Sequence, residues 1–444
     1  MDALPIAPYI PQHVKELLNV SIKLIRFQYI DYSGILRCRV LTASFCLEQD
    51  QNVKFVGTGP AALYASYVEG TDTTPVAAAC RLVPDWSSFR VCTYAARHAS
   101  VMCRIYETLN SFGFRRCPRT CLYKVLEIAE KELRCTFLGG YEIEVVFMDV
   151  TKSPPTPFKN VVEWSLMEGL RGRPIEILEQ IAESLEAANI SVQQLHTEGS
   201  QGLFEITTGP LRLMEATDAL VYTHETIKTI CDKHGLVATC FPKPSAAKGL
   251  VGQHLHLSIS SLENDPIEAR TVDAYIAGIL SHLRAICAFT LPSHDSYTRV
   301  QDRRGTNGTW VTWGTEFRDV PLRKIESTHW EIRCMDGTAN VYLAVAALIA
   351  AGIDGIRSGR KLSWGDSQKS PSLMTDSARE ELGIKTRLPL SLKEALGAIK
   401  TDLTLSSTMS QSLVEKYIKI KTEEAESLEK MSPEERTELG IKYF

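Results

Sequence analysis

An α+β fold is predicted for this 444-residue chain by two features of its sequence. Strand patterns dominate residues 18 to 106, whereas from Thr120 onward helical and strand periodicities alternate. Within the second part, short stretches set charged or metal-seeking side chains two residues apart: Glu142-Ile143-Glu144, His254-Leu255-His256 and Glu331-Ile332-Arg333. Glu198 and Glu205 form a looser fourth pair. Residues i and i+2 of a strand point to one face, about 6.6 Å apart. Each couplet therefore aims two polar groups the same way while its apolar middle residue packs behind. Four such strands side by side make a wall of carboxylates, imidazoles and a guanidinium. That many like charges share a surface only when cations neutralise them. The spacing thus points to a site for two divalent metals, which prefer carboxylate oxygen with a minority of imidazole. A lone Glu-x-Glu is ordinarily the solvated face of a strand, and a lone His-x-His a hydrogen-bonded pair. Here Glu142 and Glu144 run into the apolar Val145-Val-Phe-Met148, and His256 into Leu257-Ser-Ile259, so both couplets sit in buried strands that need partners.

Taken in order, Leu24–Ile30, the turn Asp31-Tyr-Ser-Gly34 and Ile35–Leu41 read as a β-hairpin. Residues 58–78, rich in Gly, Ala and Thr, read as loop, and Val101–Tyr106 as a further strand. Amphipathic periodicity predicts helices over Cys121–Leu133, Glu179–Ala188, Met214–His234 and Asp273–Phe289, with His234-Gly235 as a stop. Tyr275–Ala288 and Val341–Ile353 are apolar enough to pack on the sheet. Pro154, Pro155 and Pro157 break the chain between strand and helix. The tail from Lys416 onward reads as a charged helical surface.

Length suggests two or three domains, here a boundary near 106: residues 18–106 and 107–444. A net charge of −4 without a dense Lys/Arg stripe argues against nucleic acid as a partner. The opening Met1-Asp-Ala-Leu-Pro-Ile-Ala-Pro has neither a basic nor an apolar leader region, and Val341–Ile353 is too short to span a bilayer. Neither a secretory leader nor a membrane partner is expected. The twelve cysteines are scattered in apolar contexts, and Cys117 with Cys121 matches no zinc spacing, so reduced thiols in a cytoplasmic protein are expected.

The ordered set Asp31-x-x-Gly34-x-x-Arg37, Pro84-Asp85, Glu142-x-Glu144, Glu198 with Glu205, Phe241-Pro-Lys-Pro244, Gly252-x-His254-x-His256-x-Ser258, Ser296-Tyr-x-Arg299, Trp313-Gly, Arg318, Arg323, Glu331-x-Arg333-x-x-Asp336 and Ala339-Asn340 resembles the glutamine synthetase family, in its bacterial-type class I branch. The likeness runs from about residue 24 to 357, with a weaker echo to about 420. It implies an N-terminal β-grasp domain, then a catalytic domain whose antiparallel sheet carries the metals. It also implies a homo-oligomer of two stacked rings with active sites between neighbours. The implied chemistry is attack of a carboxylate on the γ-phosphate of ATP, followed by displacement of phosphate by an amine. Bringing an anion against a polyphosphate needs metals and arginines to screen the repulsion. By resemblance, Glu144, Glu198 and Glu205 hold the metal on the acid side; Glu142, His254 and Glu331 hold the metal bridging the nucleotide phosphates. Two to three Mg2+ or Mn2+ ions per site accompany ATP. Arg299 matches the arginine on the substrate's distal carboxylate, Arg318 and Arg333 those on the transferred phosphoryl group, and His256, Ser258 and Arg323 match nucleotide contacts.

Departures from the family pattern redirect the expected substrates. Val56, Ala79 and Gly305 stand where the family has acids around its ammonium site. A site without carboxylates neither holds nor deprotonates a small cation. An organic amine is therefore expected, gripped by apolar contact from Trp313, Leu203 or the 77–79 stretch, with Asp302 the nearby acid available as a base. The Gly249-Leu-Val-Gly252 loop sets Leu250 and Val251 where the family contacts the amino side of glutamate, which favours a less polar acid. His329 replaces an expected arginine. The expectation is an ATP-dependent ligase joining a small carboxylic acid to an organic amine; the alternative is a catalytically silent homologue with a structural or signalling role.

Overall fold

The computed structural model describes residues 9–48, 56–58, 63–68, 80–107, 113–159, 163–245, 249–263, 266–302 and 306–444. The first sheet contains β1 (Leu24–Ile30), β2 (Leu36–Thr42), β3 (Val56–Thr58), β4 (Cys80–Pro84), β5 (Arg90–Val91) and β6 (His98–Glu107). Their order is β2-β1-β6-β4-β3, with β5 beside β6. β1 and β6 run parallel in the middle, flanked by antiparallel partners, which is the β-grasp arrangement. The hairpin turn explains the motif Asp31-x-x-Gly34-x-x-Arg37. The Asp31 carboxylate accepts the N–H groups of Ser33 and Ile35, each at 2.9 Å, and pairs with Arg37 at 2.7 Å. Gly34 supplies the left-handed φ of +89° that the turn needs. Asn340 Nδ2 donates to the Asp31 carbonyl at 2.7 Å, which ties this turn to the second half of the chain.

The second sheet is built on the long strand β7 (Cys135–Asp149). It also contains β8 (Thr156–Pro157), β9 (Val192–Thr197), β10 (Leu203–Thr208), β11 (Leu211–Arg212), β12 (Val237–Thr239), β13 (Gln253–Ser261), β14 (Trp313–Thr315), β15 (Leu322–Lys324) and β16 (His329–Ile332). The order is β14-β15-β16-β13-β7-β10-β9, antiparallel except for the outer β14–β15 pair. Every strand carrying a couplet is thus next to another: β16, β13, β7 and the β9–β10 hairpin.

Helices Pro118–Leu133, Leu213–Lys233, Ala269–Thr290 and Val341–Arg357 pack behind the sheets. The first and the helix Arg173–Ala187 start earlier than their periodicity suggests, because Pro118 and Pro174 occupy the first turn, where a missing N–H costs nothing. Ala269–Thr290 is long and apolar enough to cross a membrane, yet most of it is buried in the core. The C-terminal helix Pro433–Tyr443 is the expected charged surface, with only Gly440 buried, but Gln411–Leu428 departs from it. Lys421 and Glu424 are fully buried and paired at 2.8 Å, and Glu424 also accepts from Ser33 and Ser66 near the other end of the chain. All twelve cysteines are free thiols, and only Cys38 is exposed.

Candidate active site

The polar face of the second sheet opens into a cleft of about 1370 Å³. Cross-strand register decides which side chains meet there. Glu142 on β7 lies opposite His254 on β13, and Glu144 opposite Glu205 on β10; His256 on β13 lies opposite Glu331 on β16. Among the described residues, two groups converge so that each residue places one ligand atom within 4.8 Å of the others. One is Glu142, His256 and Glu331; the other is His196, Glu198 and Glu205.

In the first group, His256 Nε2 lies 2.9 Å from Glu142 Oε1. His254 stands beside it, with Nδ1 2.9 Å from Glu142 Oε2 and 3.2 Å from Glu331 Oε1. Burial and Arg333 act to lower His254, but its bonds to Glu142 and Glu331 carry it up to about 9. Burial would raise Glu142, yet His254 and His256 hold its carboxyl well below the usual carboxylate range. Glu331 is wholly buried and is likewise held low by His254 and Arg333. In the second group, His196 Nε2 sits 3.1 Å from Glu198 and 3.7 Å from Glu205. Burial, reinforced by repulsion from Glu142 and Glu144, pushes Glu205 up to about 8. Burial would also raise Glu198, but His196, the Gly199 N–H and Trp164 bring it down.

The expected set Glu142, His254 and Glu331 does meet, with His256 joining it, whereas in the second set His196 converges with Glu198 and Glu205 where Glu144 was expected. Glu144 instead accepts the Gly252 N–H at 2.6 Å and faces Glu205 across the strand pair. His196 is the residue that sequence reasoning missed. Its signal is the same couplet, His196-Thr197-Glu198, on the outer strand β9.

The four arginines surround the acids. Arg299 is buried at the end of a short helix, with Nη2 3.3 Å from His254 Nε2 and Nη1 on the Met335 carbonyl. Arg333 pairs with Glu331 and donates through Nε to the Arg318 carbonyl at 3.0 Å. Arg318 is exposed at the cleft, and Arg323 reaches Glu331 at 3.1 Å and also pairs with Glu316. Ser258 shares the face of His256 but lies outside the cleft lining.

The apolar contributors differ from expectation. Leu250 lines the cleft, whereas Val251 is buried beneath it with Val146, Met148 and Leu203. Trp313 is no part of the lining: its indole stacks edge-on against Trp330 and donates to the Trp364 carbonyl at 2.9 Å. Trp164 takes that place, exposed beside Glu198. Val56 lies in β3 opposite Leu82, while Ala79 and Gly305 fall outside the described residues. Asp302 accepts from Thr309 at 2.6 Å.

The grasp-plus-sheet architecture thus brings together paired acid–imidazole groups of the donor type that divalent cations accept. Residues 115–439 match the family described as "Glutamine synthetase, catalytic domain", and the chain belongs to the glutamine synthetase family. It is 33% identical over 427 residues to Protein fluG of Emericella nidulans, covering 94% of this chain and 48% of that protein. The chain thus spans about half the length of that relative. It is 28% identical over 339 residues to Gamma-glutamylpolyamine synthetase GlnA3 of Streptomyces coelicolor, covering 70% of each. Among solved structures, a GmaS/ADP complex superposes with a TM-score of 0.81 at 21% identity, covering 95% of this chain and 97% of that one, a likeness of fold. The relatives thus include proteins named glutamine synthetase and one named for a γ-glutamylpolyamine product.

Proposed function

We propose that this protein is an ATP-dependent ligase that joins a small carboxylic acid to an organic amine through an acyl phosphate. The observation that carries the reading is the pair of acid–imidazole groups in one cleft ringed by arginines. Carboxylate oxygen with a minority of imidazole is the donor set that Mg2+ and Mn2+ accept. Glu142, His254 and Glu331, with His256 adjoining, would hold one cation, and His196, Glu198 and Glu205, with Glu144 opposite, another. When bound, the cations neutralise phosphate and carboxylate charge as it develops.

The remaining steps belong to the chain's own residues. Arg299, fixed by the Met335 carbonyl, orients the acid. Arg318 and Arg333, joined through the Arg318 carbonyl, stabilise the transferred phosphoryl group, and Arg323 with His256 contacts the nucleotide. Trp164, Leu203 and Leu250 give the cleft an apolar wall beside Glu198 and Glu205, suited to the body of an organic amine. On the same reading, residues 18–106 are the grasp domain and 107–444 the catalytic domain, and the chain assembles as two stacked rings in the cytoplasm.

The test is ATP- and Mg2+-dependent phosphate release with a panel of acids and amines, with product identified by mass spectrometry. Organic amines should exceed ammonium by at least about tenfold in kcat/KM, roughly 1.4 kcal/mol of transition-state binding. Efficient glutamine formation from glutamate, ATP and ammonium would overturn the amine assignment.

A further inference from the structure

A separate cavity of about 200 Å³ lies behind β13 and shares no lining residue with the cleft. Gln253 precedes His254 in β13, so strand alternation turns its side chain away from the polar face and into this cavity. The helix Leu213–Lys233 supplies the other polar groups: His224 and Lys228, one turn apart, with Glu225 next to them. Ile35 of the grasp hairpin, Leu220 and Val341 make the walls apolar.

These polar groups do not satisfy one another. Gln253 is 1% exposed, yet its Oε1 has no hydrogen-bond partner among the described residues, and neither has the buried Nε2 of His224. Burial and Lys228 push His224 down to about 4 against a weaker opposing pull from Gln253, so the ring is neutral at pH 7. Burial also lowers the Lys228 ammonium, opposed by Cys240 and Glu225. That ammonium has three donors, and its bond to the Tyr443 carbonyl is long, at 3.3 Å. Glu225 takes a weak bond from Thr229 at 3.4 Å and has free acceptor positions left. Unmet polar groups in an apolar cavity are costly, and a ligand that supplies their partners removes the cost. Lys228 and Glu225 together leave no net charge, which a zwitterion matches and a lone anion or cation does not.

We propose that this cavity binds a small α-amino acid with an apolar side chain. Its carboxylate accepts from Lys228 and His224 Nε2, its ammonium donates to Gln253 Oε1 and Glu225, and its side chain lies against Ile35, Leu220 and Val341. The volume admits several heavy atoms and excludes a nucleotide.

The experiment is titration calorimetry of the full chain in chelator without nucleotide. L-Valine is the probe, beside isovalerate and isobutylamine, which lack its ammonium and its carboxylate in turn. L-Valine should bind once per chain, and each partial analogue at least about tenfold more weakly, since each forgoes one set of charge-assisted contacts. Lys228→Met should weaken L-valine by about tenfold or more while leaving isobutylamine within about threefold. Glu225→Gln should weaken L-valine and isobutylamine but spare isovalerate. Arg299→Ala should change none of these affinities, because Arg299 lines the cleft and not this cavity. An analogue that binds as tightly as L-valine, unchanged L-valine affinity in Lys228→Met, or loss of binding in Arg299→Ala each overturns the proposal. So does the absence of heat from L-valine, L-alanine and L-leucine alike. Each failure leaves the ligase reading untouched, because neither metal nor nucleotide enters the measurement.

Discussion

At the scale of single residues, the site is a balance between charge and burial. Glu205 is buried beside Glu142 and Glu144, and with its carboxyl near 8 it holds a proton at neutral pH when no cation is present. Ligation requires the carboxylate, so Mn2+ binding at pH 7 should release protons and tighten as pH rises through about 8. Calorimetry in buffers of different ionisation enthalpy reads that release directly; net proton uptake would contradict it. The linked stability has a definite sign. A carboxyl whose folded pKa lies above its unfolded value stabilises below the unfolded value, and that contribution disappears as pH rises through the folded one. In chelator, Glu205 should therefore make stability fall between about pH 4.5 and 8, and saturating Mn2+ should remove that slope. His196 belongs to the same group, and His196→Ala should weaken Mn2+ binding at least about tenfold, roughly 1.4 kcal/mol. Affinity equal to wild type would remove His196 from the set.

At the scale of elements, the couplets were readable because a strand repeats every two residues and a buried polar pair breaks an apolar run. Glu142-x-Glu144 and His254-x-His256 stand inside such runs, and their strands are neighbours in the sheet. Which acids each imidazole meets depends on the register between β7, β13 and β16, a long-range property that spacing does not encode. His196 went unread because β9 is an outer strand of polar residues, Val-Gln-Gln-Leu-His-Thr, with no apolar alternation to mark it. The buried Lys421–Glu424 pair was illegible for a similar reason: Ser33 and Ser66, which receive it, are hundreds of residues away. Helix positions followed from periodicity, but their close approach did not. Ala269–Thr290 and Val341–Arg357 touch backbone to backbone at Gly278 and Gly355: a Cβ on Gly278 would strike the Ala351 carbonyl and come within 2.8 Å of the Gly355 nitrogen. Gly278→Ala should push these helices apart and destabilise by about 1–3 kcal/mol, measured as a lower chemical-denaturation midpoint. An unchanged midpoint would mean that the contact yields without cost.

At the scale of the whole molecule, one buried arginine links four elements. Arg119 opens the helix Pro118–Leu133 and is 3% exposed. It holds Asp218 of Leu213–Lys233 through two bonds, at 3.0 and 2.7 Å, and Asp85 after β4 through a third at 2.7 Å. Tyr342 of Val341–Arg357 donates to the same Asp218 at 2.6 Å. The grasp sheet is thereby clamped to helices behind the catalytic sheet. Removing one member of such a network strands the others without compensation, which costs far more than a surface pair. Arg119→Met should lower stability by about 3–5 kcal/mol, and adding Asp218→Asn should restore part of it because the stranded charge is gone. The acid side of this clamp has its own signature. Burial would raise Asp85, but Arg119, Ser87 and Arg104 hold its carboxyl far below the usual carboxylate range. A depressed carboxyl contributes stability above its unfolded value of about 4 and loses it as pH falls toward the folded one. Wild-type stability should therefore decline steeply below about pH 4, and Asp85→Asn, which has no proton to gain, should be less stable at neutral pH but flatter in acid. If wild type and Asp85→Asn lose stability in parallel as pH falls, the clamp does not titrate through Asp85, and the coupling of the two sheets must rest on packing and the Asn340–Asp31 contact instead.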